Sequence, residues 1–212
     1  LSNCKGHLLG ILPRKNIFDA VRPATRLNLS SNERSLLCNT WVTSFDGLYD
    51  LGTDIYTEIF NSAPEIRALF PVLADSDGNI RNCPNFRNQA LKFVQVIALC
   101  LTALNNAERL DEILTEVGAR HAKYVAKGFK MAYWDVFENA MVKCIHQQMI
   151  RRGAFDDDTQ AKAEVAWRTL SKYIIEKMKI GFICELHHFR RRNFKRSANE
   201  ASISTILATS ST

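Results

Sequence analysis

The sequence predicts an all-α fold, and three observations carry that prediction. Between residues 31 and 181 nearly every segment repeats its apolar residues at intervals of three and four, and nothing alternates convincingly at period two. The breaks between these segments hold the residues that start and stop helices: Ser, Asp and Pro before them, Gly after. A chain of 212 residues, 46% hydrophobic, has enough apolar surface for one substantial core, so a single domain is expected.

The elements read off in order. A first helix opens at Ser31 and carries Leu37, Trp41 and Phe45 on one side. A second, from about Leu48 to Asn61, buries Ile55, Tyr56, Ile59 and Phe60. Pro64 begins a short helix that ends near Phe70 and Pro71, since proline suits a first turn and disrupts an interior. The stretch ADSDGNIRNCPN is loop by composition. Pro84 starts a long helix to about Leu104, with Phe86, Phe93, Val96, Ile97 and Cys100 facing inward and Gln89 filling a gap in that face. Residues 108 to 121 continue the stripe of Leu110, Ile113, Leu114 and Val117 into His121, and Gly128 marks the turn after it. Helix 130 to 152 presents Trp134, Phe137, Met141, Ile145 and Met149, and ends at Gly153. The last helix starts at the triple Asp 156 to 158, favourable at a helix N-terminus, and runs through Trp167, Leu170, Ile174 and Met178 to Gly181.

The formal charge of +6 sits in the tails. Residues 1–30, a basic N-terminal extension, hold five basic and one acidic residue; residues 182–212, basic and then Ser/Thr-rich, hold five and two. Weak contact with an anionic membrane or acidic protein would therefore come from the tails, HHFRRRNFKR at 187 to 196 above all; nucleic acid is not expected as a partner. The terminal ASISTILATSST reads as disordered. The longest apolar stretch, Val94 to Leu104, is interrupted by Gln95 and falls far short of the roughly 18 residues that span a bilayer, so a soluble protein is expected. Six cysteines without a CxxC pair exclude a zinc ribbon, and Cys38, Cys100 and Cys144 fall on apolar stripes as free thiols do in a reducing compartment; the cytoplasm is the expected location. Cys83, just before Pro84, sits where a helix N-terminus can lower a thiol pKa, although an inert loop cysteine is the plainer reading.

Three helices thus each direct one polar group, Tyr56, Gln89 and His121, toward the same interior. Satisfied core residues are the bland explanation, yet burying an unpaired amide or hydroxyl costs roughly 1–3 kcal/mol. Three such costs in one core suggest a polar or metal-bearing group between them, which periodicity does not name.

The order and spacing of these residues resemble a globin. Trp41 is similar to the tryptophan late in the first globin helix, and GTDIYTEIFNSAPEIRALF resembles the second and third helices with their proline, here Pro64. FRNQALKFVQVI looks like the distal helix, while FRNQA and GFKMAYWDVF resemble nematode globins most. The resemblance covers residues 31–181 and implies a three-over-three helical sandwich around haem b (iron protoporphyrin IX). It implies His121 as the proximal iron ligand, Phe70 packed on the ring, Phe93 crowding the ligand, and Gln89, thirty-two residues before His121, at the distal position beside Tyr56. Lys92 and Arg120 are candidates to pair with haem propionates.

The chemistry implied is reversible binding of dioxygen, or another diatomic gas, at a five-coordinate iron, for storage, scavenging or sensing rather than as an enzyme. Glutamine is a feeble iron ligand, which leaves one axial face open. The alternative is a redox globin, acting as a nitric oxide dioxygenase or an electron-transfer, superoxide-generating signalling protein. A haem-free signalling module with the same fold is a further rival.

Overall fold

The computed structural model describes residues 26–73 and 80–209. The expectations for residues 1–25, for residues 74–79 of the loop ADSDGNIRNCPN, for residues 210–212, and for the side chains of residues 193–196 in the basic run lie outside the described residues. Every regular element described is helical, and none of these helices is long and apolar enough to cross a membrane.

Helix α1, Ser31–Thr40, opens on a capping box: Ser30 Oγ accepts from the Glu33 backbone N–H at 3.3 Å, and Glu33 accepts from the Ser30 N–H at 2.7 Å. It stops earlier than the periodicity suggests. Trp41 turns into extended backbone, Ser44 caps a new helix by accepting from Gly47, and Phe45 becomes the first residue of α2, Phe45–Ser62. Phe45 is therefore not in the core; it is exposed, with the Arg87 guanidinium 5.1 Å from its ring. Two 3-10 helices, Pro64–Leu69 and Pro71–Leu73, carry the chain across one end, and α3, Pro84–Thr102, follows.

Helix α4, Ala107–His121, is capped by Asn106, which accepts from Arg109 N–H at 3.0 Å. A 3-10 helix, Ala122–Lys127, ends at Gly128, whose φ of 90° is left-handed. Helix α5, Tyr133–Arg152, ends likewise at Gly153 with φ 61°. Helix α6, Asp157–Thr209, does not stop at Gly181. That glycine lacks the left-handed backbone of the two true terminators, and no glycine or proline follows it before residue 209. Residues 182–209 are helical, including 201–209 of the stretch ASISTILATSST whose composition reads as disordered, and Phe182 and Cys184 continue the buried face.

Helices α1, α3 and α4 pack across α2, α5 and α6: α1 and α4 lie on α6, α3 on α2, and α5 joins α2 to α6. Two close approaches fix the crossings that matter for the site. A Cβ on Gly52 would lie 2.7 Å from the Ala90 carbonyl oxygen, so α2 and α3 touch backbone to backbone there. A Cβ on Gly118 would lie 1.9 Å from the Met178 oxygen, and one on Gly181 1.9 Å from the Thr115 oxygen; glycine at 181 serves contact with α4, not termination. Beside this seam the buried Lys177 ammonium donates to Asp111 at 2.7 Å, and the Tyr173 hydroxyl donates to the same carboxylate.

Trp167, fully buried, donates its indole N–H to Thr40 Oγ1 at 2.9 Å and packs 5.6 Å from Trp41, locking α1 onto α6. Burial pushes the Cys100 and Cys144 thiols up to about 12, consistent with inert core thiols; Cys38, expected beside them, is instead exposed because α1 buries Leu37 and Thr40. Gly181→Ala should cost about 1–3 kcal/mol through overpacking and lower the melting temperature by roughly 2–4 °C per kcal/mol. An unchanged thermal melt would rule out the described backbone contact between α4 and α6.

Candidate functional site

Tyr56 projects from the buried face of α2 and is only 7% exposed. The Gly52 contact with Ala90 brings α3 close enough that Gln89, one residue earlier, reaches it: Gln89 Nε2 donates to Tyr56 Oη at 2.9 Å. The acceptor is the phenol oxygen, so the phenol proton stays available to a third group. Around the ring stand Phe60, Phe70, Phe86 and Phe93, at centroid separations of 5.9, 5.4, 5.0 and 6.1 Å, the last three edge-on. Burial pushes the Tyr56 phenol up to about 12, with the Gln89 hydrogen bond opposing that rise and Tyr124 adding to it. It is therefore a neutral donor throughout the physiological range.

His121 closes α4. Its Nδ1 lies 2.8 Å from the Val117 carbonyl oxygen, one turn back. A carbonyl only accepts, so the proton sits on Nδ1 and the Nε2 lone pair is left for another partner. Burial is the main cause that lowers the His121 pKa; the Val117 bond opposes it, and the charges of Arg120 and Lys123 reinforce it. The ring is neutral at pH 7 and lies among three aromatic rings: Tyr124 at 6.0 Å, Phe129 at 5.5 Å and Trp134 at 5.5 Å.

Helix α5 joins the two halves. Trp134 touches His121, and Phe137, three residues on and so on the same face, meets Phe93 edge-on at 4.5 Å. Tyr56, Gln89, Phe70 and Phe93 thus form one cluster, and His121, expected to face the same interior, forms the core of a second. Lys92 and Arg120 join neither: Lys92 is exposed, and Arg120, also exposed, lies 3.6 Å from Glu116. Cys83 occupies the N-cap of α3 without a side-chain cap bond, its thiol donating instead to the Val72 carbonyl at 3.3 Å.

The apolar periodicity placed Phe60, Phe86, Val117 and Trp134 on inward faces without assigning them to the site, and gave Tyr124 and Phe129 no role beside His121.

No group of three or more His, Cys, Asp or Glu residues that could hold a bare metal ion occurs among the described residues. One imidazole with a free Nε2 suits a metal that arrives with most of its ligands, as porphyrin iron does. The donor set at His121 fits such a group. Two clefts of about 230 and 290 Å³ lie elsewhere, one between α4 and α6 with Glu112, Glu116 and His188, the other between α5 and α6 with His146 and Glu164.

The family model described as Globin matches residues 53–178. Globin-related protein glb-13 of Caenorhabditis elegans is 27% identical over 155 residues, which are 73% of this chain but 52% of that protein, so the chain spans about half its length. Globin-like protein 26 of the same organism is 23% identical over 193 residues, 89% of this chain and 94% of its own. A hexacoordinated heme protein from an anhydrobiotic tardigrade superposes with a TM-score of 0.64 at 21% identity, covering 74% of this chain and 96% of that one. The hexa-coordinate hemoglobin of Drosophila melanogaster gives a TM-score of 0.58 at 20% identity, covering 71% and 93%. At these identities the structural likeness is one of fold.

The raised Tyr56 pKa has a defined linkage. The native state holds that proton more tightly than the unfolded chain, so the stability this provides is complete below pH 10 and is lost as pH rises from 10 to about 12. Denaturant midpoints of the parent should therefore fall more steeply over that window than those of Tyr56→Phe. Parallel curves for the two proteins would refute the buried neutral phenol.

Proposed function

We infer what this chain does from the fact that it belongs to the globin family: it holds haem b through His121 and binds dioxygen reversibly on the opposite face of a five-coordinate iron. The observation that supports this reading best is the His121 hydrogen bond to Val117, which commits Nδ1 to the helix and frees Nε2 for iron. Haem, when bound, supplies the iron that takes up the gas.

The chain's own residues do the rest. Tyr56 offers an O–H to a gas that gathers negative charge on ligation, and so favours dioxygen over a less polar diatomic. Gln89 has one amide N–H committed to Tyr56 Oη, which orients the phenol and makes its proton a better donor. Phe70, Phe86 and Phe93 line the phenol with apolar edges that exclude water and so strengthen the donor. Lys92 and Arg120 are the cations at hand for haem propionates, Arg120 by exchanging Glu116 for a propionate.

The tardigrade and fly neighbours are described as hexacoordinate. Here position 89 is glutamine, and its amide nitrogen is bonded to Tyr56, which favours an open sixth position. Storage, scavenging or sensing inside the cytoplasm fits free thiols at Cys38, Cys83, Cys100 and Cys144. The basic segment at 187 to 196 suits weak contact with an anionic membrane or acidic protein.

Absorption spectra of the purified protein in ferric, ferrous and oxygen-exposed forms test cofactor, coordination and gas binding together. We expect a five-coordinate ferrous spectrum that changes reversibly with oxygen. A missing Soret band rejects haem, and rapid autoxidation supports the redox alternative. His121→Ala should lose the pigment or its axial ligand. A charge-assisted hydrogen bond is worth about 1.5–3 kcal/mol, so Tyr56→Phe should speed oxygen release by roughly ten- to hundredfold in stopped flow. Gln89→Leu should speed release in the parent but much less in a Tyr56→Phe background; equal effects in both would show that Gln89 acts independently of the phenol.

A further inference from the structure

One hydrogen bond does not aim an imidazole. The Nδ1 contact with Val117 is a single restraint on a side chain with two rotatable torsions, so coupled changes in χ1 and χ2 still sweep Nε2 through an arc. The neighbours of the ring decide where it stops. Phe129 and Trp134, each 5.5 Å from the imidazole centroid and 5.2 Å from each other, stand side by side against one flank of it, and Tyr124 lies 6.0 Å away, so packed rings oppose rotation toward them.

Two of these rings are themselves held. Trp134 is 4% exposed and packs on Phe129 at 5.2 Å and on Phe182 at 5.4 Å, while Phe129 also meets Phe182, at 5.7 Å. Phe182 lies on α6 just after Gly181, whose backbone contact with Thr115 fixes α6 against α4. The helix that carries His121 and the rings that flank its imidazole therefore share one foundation. Tyr124 is the softer member: it is half-buried, and the Lys123 and Lys127 ammonium groups lie over its ring at 5.0 and 5.9 Å.

We propose that Trp134 and Phe129 are positioning residues for His121, fixing the direction of Nε2 by forming a wall against one flank of the imidazole, with Phe182 as their support. This rests on the reading of His121 as the haem ligand. Loss of the Trp134 ring widens the range of imidazole orientations, weakens the iron–nitrogen bond on average and loosens the cofactor. Loss of Phe129 does the same to a smaller degree, because Trp134 retains its own contact with Phe182.

The test uses the full-length, haem-loaded ferrous protein without gas. The iron–histidine stretching band is recorded by resonance Raman for the parent, Trp134→Leu, Trp134→Phe and Phe129→Leu, alongside haem release to an excess of a haem-scavenging apoprotein. Trp134→Leu should broaden and shift the band and release haem roughly tenfold faster, the factor expected for loss of a buried aromatic contact worth about 1.4 kcal/mol. Trp134→Phe should restore both. Trp41→Leu, which removes a buried tryptophan from the α1–α6 contact instead, should lower the melting temperature without moving the band. A folded Trp134→Leu with the parental band overturns the proposal, as does an equal shift in Trp41→Leu. If Trp134→Leu does not fold, Phe129→Leu decides on the same criteria. A parent with no iron–histidine band at all defeats the haem-ligand reading itself, which is a distinguishable result.

Discussion

The centre of this molecule depends on the hydrogen bond from His121 Nδ1–H to the Val117 carbonyl. It settles the tautomer of a half-buried imidazole without a second side chain. A neutral ring whose proton is committed to the helix presents a lone pair at its far end, and a lone pair there is what separates a ligating histidine from a merely satisfied one. Burial works in the same direction by lowering the pKa, so protonation does not compete near neutrality.

The Tyr56 cluster is built differently. Tyr56 and Gln89 answer each other's burial with a single hydrogen bond in which the amide donates and the phenol accepts. Had the phenol donated to the amide oxygen, both groups would have been satisfied but the phenol proton would have been consumed. The observed direction keeps that proton for a third partner, and the surrounding phenylalanine edges keep water from taking it. The arrangement requires α2 and α3 to approach without side chains between them, which the glycine at 52 permits.

Helix α6 ties the histidine half to the rest of the fold. Its contacts with Gly118 and Thr115, and its Lys177 bridge to Asp111, hold the histidine helix along much of its length. Truncating one partner of such a buried ion pair leaves an uncompensated charge, so Lys177 and Asp111 stand or fall together. The same helix supplies Phe182 to the aromatic group beside the imidazole, so the orientation of His121 is a property of the α4–α6 seam as much as of α4 itself.

The sequence by itself determined that the chain is helical, where most of its helices start and end and, for most of them, which face is buried, because apolar spacing, caps such as Ser30 and Asn106, and left-handed glycines at 128 and 153 act within a few residues of one another. It also marked Tyr56, Gln89 and His121 as inward polar groups, since each interrupts an apolar stripe. Tertiary structure alone decided which of them meet. The direction of the Gln89 bond, the closing of Trp134 and Phe129 on His121, the exposure of Phe45, Lys92 and Arg120, and the passage of α6 through Gly181 all depend on helix crossings. Those crossings are set by backbone contacts between residues far apart in the chain, such as Gly52 with Ala90 and Gly181 with Thr115. Periodicity records a residue's side of its own helix; it carries no information about the neighbour waiting there.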